Sequence, residues 1–187
     1  MKEKEKMLKG ELYNPISDPE LYYDRIKCKT LCQKYNSLLP NQVKEKTDLI
    51  KKIFSKTGKN IWIEPNFWCD YGYNTEVGEN FYMNHGCVIL DPAKVTFGDN
   101  VFIGPSCGFY TAGHPIDSNT RNQGLEYAKP IKVGNNVWIG GNVSVMPGIE
   151  IGNNVVIGAG SVVTKNIPDN SIAAGSPAKI IRKSIDG

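Results

Sequence analysis

The sequence predicts a mainly β protein: a parallel β-helix with a helical hairpin at its N-terminus and a long loop extruded from one coil. Three observations carry this. Between Val133 and Ile167 one aliphatic phase, Val133, Ile139, Val145, Ile151, Ile157 and Val163, returns every six residues. A second set, Val137, Val143, Ile149, Val155 and Ile167, stands four positions along from members of the first, with Ser161 the one small exception. The first 58 residues instead show helical spacing, and between Tyr110 and Pro130 the six-residue period disappears. A fixed six-residue period fits neither an amphipathic helix nor a long alternating strand, and is the mark of short strands joined by turns and stacked coil on coil. A β-sandwich of short strands is the competing architecture, and six registered repeats count against it.

Residues 1–58 read as two short helices. Ser17-Asp18-Pro19-Glu20 has the form of a capping box with proline in the first turn, and Leu21, Cys28, Leu31, Cys32 and Tyr35 then share a face. After Leu39-Pro40-Asn41, Val43, Leu49, Ile50, Ile53 and Phe54 recur at helical spacing until Gly58 supplies a stop. Laid across the open end of a β-helix, such a hairpin would cover strand edges that otherwise invite aggregation.

The β-helix, residues 59–187, starts irregularly. Val77, Met83 and Ile89 hold one register, and a two-residue slip at Pro92-Ala93 moves it to Phe97, Ile103 and Phe109. The polar stretch at about 110–130 is the extruded loop, and long loops on rigid scaffolds tend to carry function. In the regular part Gly134, Gly140, Gly152 and Gly158 follow inward residues, and Asn135, Asn136, Asn153 and Asn154 occupy turns where positive backbone angles are expected. The tail from Pro168 leaves the repeat and is locally basic at Lys165, Lys179, Arg182 and Lys183, a pattern that by itself describes a solvated surface.

A net charge of +3 with no basic run interleaved with aromatics gives no reason to expect nucleic acid as a partner. No apolar stretch has the length of a membrane span or signal core, so no membrane association and a cytoplasmic location are expected. The five cysteines, Cys28, Cys32, Cys69, Cys87 and Cys107, lack the paired spacing of a zinc site or a disulfide framework, and buried free thiols are the expectation. The chain has only two histidines, His85 and His114.

The six-residue unit resembles the hexapeptide repeat of the left-handed β-helix. Phe67-Trp68-Cys69-Asp70-Tyr71-Gly72-Tyr73-Asn74, Asn80-Phe81-Tyr82-Met83-Asn84, Thr111-Ala112-Gly113-His114-Pro115, the run Ile131 to Gly141 and the run Gly158 to Lys165 follow one another in an order and spacing similar to the maltose and galactoside O-acetyltransferases. Gly10-Glu11-Leu12-Tyr13-Asn14 and Asp18-Pro19-Glu20-Leu21 resemble the N-terminal domain of the same family. The resemblance implies left-handed coils, acetyl transfer from acetyl-CoA to a small sugar without a metal, and a homotrimer whose sites lie between neighbouring β-helices.

On that resemblance His114 matches the catalytic histidine. A sugar hydroxyl is a poor nucleophile, and an imidazole with an ordinary pKa of about 6.5 can take its proton near neutral pH. Asn84 matches a polar residue lining the acceptor and thioester, and Asp70 falls where relatives contact the sugar, although an aspartate there can equally hold a turn. For coenzyme A the matching positions are Trp138, Gly141, Ala159, Thr164, Lys165, Lys179 and Arg182. Small residues would let backbone reach the pantetheine arm, cations suit phosphates, and Trp138 could equally pack between coils. Some relatives carry serine and arginine where this chain has Gly141 and Lys179. Where galactoside acetyltransferases carry a further acidic sugar contact this chain has Pro92, beside Asp91, which weakens the case for a galactoside acceptor.

Two other classes compete. A zinc hydratase of the γ-carbonic anhydrase type needs three histidines, more than the two present here. A non-catalytic scaffold would have no reason to keep His114 together with the coenzyme-matching positions. Within the enzyme class, an acetyltransferase for an antibiotic, amino-acid or amine acceptor is the alternative to a sugar enzyme.

Overall fold

The computed structural model describes residues 1–183. Three helices lead: α1 (Glu3–Lys9), α2 (Pro19–Asn36) and α3 (Val43–Ile53). The first coil then contributes β1 (Ile61–Ile63) and β2 (Trp68–Cys69). The second coil is β3 (Thr75–Val77), β4 (Phe81–Met83) and β5 (Val88–Leu90), and the third β6 (Val95–Phe97), β7 (Val101–Ile103) and β8 (Gly108–Tyr110). Next comes the loop, in which β9 (Ala112–Gly113) pairs antiparallel with β10 (Tyr127–Ala128) and α4 (Ser118–Arg121) lies between. The fourth coil is β11 (Ile131–Val133), β12 (Val137–Ile139) and β13 (Ser144–Val145); the fifth is β14 (Glu150–Ile151), β15 (Val156–Ile157) and β16 (Val162–Val163). β17 (Ser171–Ala174) ends the parallel stack and β18 (Lys179–Lys183) folds back on it antiparallel.

Each of the second to fifth coils places one strand on each of three faces, so the stack is a three-sided prism. The first face is β3, β6, β11 and β14; the second runs β1, β4, β7, β12, β15 and β17; the third is β2, β5, β8, β13 and β16. The predicted six-residue phase is the core. Val77, Phe97, Val133 and Ile151 are in register on the first face, Met83, Ile103, Ile139 and Ile157 on the second, and Ile89, Phe109, Val145 and Val163 on the third, all buried. Burying each such side chain is worth about 1.5–3 kcal/mol, which makes this column the main source of cohesion.

Only half of the expected asparagine turns use a positive φ. Asn136 and Asn154 do (57° and 54°), as do Asn80 and Asn100, while Asn135 and Asn153 use their side-chain oxygens to accept the backbone N–H of Asp99 and Asn135 one coil away. The left-handed Asn80, Asn100 and Asn136 also bond side chain to side chain along one edge, with Asn60 donating to Asn80 at its start.

The leader differs from expectation in three places. It holds three helices, because Glu3–Lys9 also folds, with its Lys4 ammonium bound by Glu20 and Asp24 of α2. Asp18, and not Ser17, is the N-cap of α2, accepting from Glu20 N at 2.8 Å and Leu21 N at 3.4 Å. Gly58 does not stop α3: the helix ends at Ile53 because Ser55 N already donates to Thr75 O and Lys56 pairs with Glu76, so this stretch has joined the first face. Gly58 belongs to a coil corner, where a Cβ would meet the Gly78 carbonyl oxygen at 2.4 Å. As expected, α2 and α3 cover the open end of the core: Tyr35 donates its hydroxyl to Ile63 O, and Phe54 meets Phe67 edge to face at 5.6 Å. Among the described residues no helix is long and apolar enough to cross a membrane. Residues 184–187, the end of the predicted tail, lie outside the described residues.

Candidate active site

The extruded loop leaves the edge between the third and first faces after β8, and it is braced from inside and out. Asp117 caps α4 through Thr120 N, and the Arg121 guanidinium donates to the carbonyls of Pro115 and Ile116. From outside, Tyr13 pairs with Glu126 through both backbone bonds and Asn14 donates to Gln123 O. The N-terminal leader therefore holds the loop as well as capping the core.

His114 follows β9 in this loop, and about half of its side chain is exposed. Its Nδ1 lies 3.1 Å from Leu125 O. A carbonyl can only accept, so the neutral ring carries its proton on Nδ1 and leaves the Nε2 lone pair facing out. Nε2 is 3.8 Å from Glu126 Oε1, and Glu126 Oε2 accepts the Tyr13 hydroxyl at 2.9 Å. Tyr13 is fully buried, and burial together with the Glu126 charge pushes its phenol well above the ordinary range, so it stays a donor. The run Tyr13, Glu126, His114 is an imidazole whose basic nitrogen faces solvent and a carboxylate, a group able to take a proton from a bound hydroxyl.

Asp70 lies on the same edge, at the corner after β2. The corner is held by another carboxylate: buried Asp91 accepts from the N–H groups of Asp70, Tyr71 and Gly72 and from the Thr75 hydroxyl. Desolvation pushes the Asp91 carboxyl up to about 6. Asp70 is thereby spared that job; its side chain is partly exposed, 3.4 Å from Lys29 Nζ. A small second core of Met7, Tyr13, Leu21, Tyr71 and Ala128 ties leader, Asp70 corner and loop together.

The remaining predicted residues fall elsewhere. Asn84 follows β4 at the edge between the second and third faces, its side-chain oxygen accepting from His85 N at 2.7 Å. Gly141 and Ala159 stand at the same edge in the fourth and fifth coils, where Gly160 N donates to Gly141 O and a Cβ on Gly140 would meet Ala159 N at 2.6 Å. Lys179 is in register with Ala174 close to this edge, and Arg182 with Ile172 within the second face. Trp138 projects from that face between Phe102 and Val156, 58% exposed, so it does not pack inside the coil stack. Thr164 and Lys165 follow β16 on the edge that also carries His114, both exposed.

Eight of the predicted residues thus sort onto two edges of one prism, Asp70, His114, Thr164 and Lys165 on one and Asn84, Gly141, Ala159 and Lys179 on the other, while Trp138 and Arg182 lie on the second face. Among the described residues no hydrogen bond or ion pair joins His114 to Asn84. The two histidines stand on different edges of the prism, His85 beside Glu64.

Sequence reasoning missed three features. Glu126 sits twelve residues beyond His114 inside a polar loop, and no local pattern marks it. Tyr13 lies within a stretch whose pairing partner is 113 residues away. Cys69 meets Cys28 and Cys32 under the cap, a grouping that the cysteine spacing does not mark.

Residues 6–58 match the maltose acetyltransferase hexapeptide capping motif and residues 130–165 match six repeats of the bacterial transferase hexapeptide. The chain is similar in structure to a maltose O-acetyltransferase from Clostridium difficile 630, with TM-score 0.97 and 49% identity, covering 100% of this chain and 99% of that one. It is also similar to a galactoside acetyltransferase in complex with coenzyme A, with TM-score 0.96 and 42% identity over 100% of this chain and 92% of the other. A hexapeptide-repeat acetyltransferase of Vibrio cholerae complexed with acetyl-coenzyme A matches with TM-score 0.91 and 37% identity, each chain covered in full.

Proposed function

Because the chain belongs to the maltose and galactoside O-acetyltransferase family of hexapeptide-repeat acetyltransferases, we propose that this acetyltransferase moves the acetyl group of acetyl-CoA directly onto a sugar hydroxyl, with His114 as general base. The observation that carries the reading is the state of His114: Nδ1–H committed to Leu125 O and Nε2 free beside Glu126. In the reaction Nε2 takes the hydroxyl proton as the sugar oxygen attacks the thioester carbonyl carbon. The carbon–sulfur bond then breaks and the imidazolium returns the proton to the departing coenzyme sulfur, so no acyl-enzyme forms. Glu126 faces the imidazolium while it exists, and Tyr13 keeps that carboxylate in place.

Asp70 supplies an acceptor contact and Asn84 lines the thioester. Gly141 and Ala159 present backbone to the pantetheine arm, Trp138 flanks it, and Thr164, Lys165, Lys179 and Arg182 take the phosphates. These residues lie on two edges and one face, so the site is complete only where one copy's His114 edge meets the Asn84 edge of the next, as a homotrimer allows. Family structures that bind coenzyme A or acetyl-CoA support the co-substrate. The maltose-type capping motif supports a glucosyl acceptor, and Pro92 argues against a galactoside. The chemistry draws on acetyl-CoA and needs no metal at His114, which suits a cytoplasmic setting.

The test is thiol release from acetyl-CoA with maltose, glucose, a galactoside and a simple amine, for wild type and His114→Ala. Sugar-dependent release that falls at least ~100-fold in the variant is expected. Release with the amine alone would move the acceptor out of the sugars, and an unchanged rate in His114→Ala would remove the histidine from the mechanism.

A further inference from the structure

Away from that site, three thiols from separate elements meet beneath the N-terminal cap. Cys28 and Cys32 stand one turn apart on the buried face of α2, and Cys69 ends β2. Cys28 Sγ is 3.3 Å and Cys32 Sγ 3.7 Å from Cys69 Sγ, and the three sulfurs lie within 4.8 Å of one another. All three are free and buried. Cys28 also lines a cavity of about 120 Å³ between α2 and α3, together with Asp24, Lys27, Leu31, Lys52 and Tyr73 among others.

We propose that Cys28, Cys32 and Cys69 form a binding site for a soft, thiophilic metal ion of three-coordinate habit, with cuprous copper as the fitting class. Three sulfurs around one ion at a metal–sulfur distance of about 2.3 Å stand roughly 4 Å apart, and the sulfurs here, at 3.3 and 3.7 Å from Cys69 and all within 4.8 Å of one another, need to spread only slightly to take one. All-sulfur donor sets select soft ions. Among the described residues no fourth cysteine, histidine or carboxylate joins the group, so it lacks the fourth protein ligand of a structural zinc site. Each ligating thiol gives up its proton as the metal–sulfur bond forms. A bound ion would fasten α2 to the first coil, stabilising the cap without entering the acetyl transfer.

The test uses the full-length reduced protein under anaerobic conditions, titrated against Cu(I) held by a coloured chelator. Wild type is expected to withdraw a single ion per chain and to melt at higher temperature when loaded, while Cys69→Ser and Cys32→Ser lose at least ~100-fold in affinity and Cys107→Ser keeps it. Since Cys69→Ser removes a core atom, circular dichroism of each apo variant establishes that it is folded, and Cys32→Ser serves if Cys69→Ser is not. Failure of wild type to compete with the chelator, equal uptake by the serine variants, or formation of a Cys28–Cys69 disulfide in place of metal uptake would overturn the proposal.

Discussion

In the proposed reaction the role of His114 depends on which ring nitrogen is free, and that is set by one carbonyl, Leu125 O. Glu126 then needs an anchor, and Tyr13 supplies it from the far end of the chain. Tyr13→Phe removes a hydrogen bond to a charged group, an interaction worth about 1.5–3 kcal/mol. Only part of that reaches the transition state, so kcat should fall about tenfold while KM for acetyl-CoA stays put, and steady-state kinetics checks the split. Asp91 makes a different prediction. Its folded-state carboxyl titrates near about 6 against an ordinary value of about 4, so between those pH values the folded chain holds a proton that the unfolded chain has released. Stability therefore falls as pH rises through that window, by ~3 kcal/mol from this group, and levels off above it. The stability difference between wild type and Asp91→Asn, from urea unfolding at about pH 4 and about pH 6.5, should change by that order, and a constant difference would contradict the assignment. The motif around the proposed base was legible in the sequence because its residues are adjacent. Glu126, Tyr13 and Asp91 were not, because each acquires its role from residues that only folding brings near.

At the scale of elements, the coil register was readable because an inward position tolerates only apolar residues and its six-residue spacing is local. What blurred was the boundary of α3, where Gly58 looks like a helix stop and is a corner of the prism. The asparagine pairs blurred in the same way: sequence marks the turn but not which partner turns and which bonds across. Close coil stacking has a measurable cost when violated. A Cβ on Gly98 would lie 2.3 Å from Asn135 Oδ1 and 2.8 Å from the Gly134 carbonyl, so Gly98→Ala must push coils apart and should cost about 1–3 kcal/mol. Gly160 differs: no atom lies within 4 Å, but its φ is +72°, so Gly160→Ala should cost about 1–2 kcal/mol through backbone strain alone. Urea midpoints for the two variants, with acetyl-CoA binding alongside, separate crowding at a stacked corner from strain at an open one.

At the scale of the molecule, the prism has room for its predicted residues only on separate edges. The leader, loop and Asp70 corner gather on the His114 edge through a shared small core, while Asn84, Gly141 and Ala159 climb the other in successive coils. A linear repeat shows which residues point outward but not which copy they serve, which is why the proposal of a site shared between copies rests on family resemblance and not on periodicity. Mixing settles it most directly. His114→Ala and Asn84→Ala subunits, each inactive alone, are unfolded together, refolded as mixed oligomers and assayed for sugar-dependent thiol release from acetyl-CoA. If His114 of one copy works with Asn84 of the next, random mixing restores about a quarter of the wild-type sites. Recovery near that level is the predicted result, and no recovery from folded, mixed oligomers would contradict a site shared between copies.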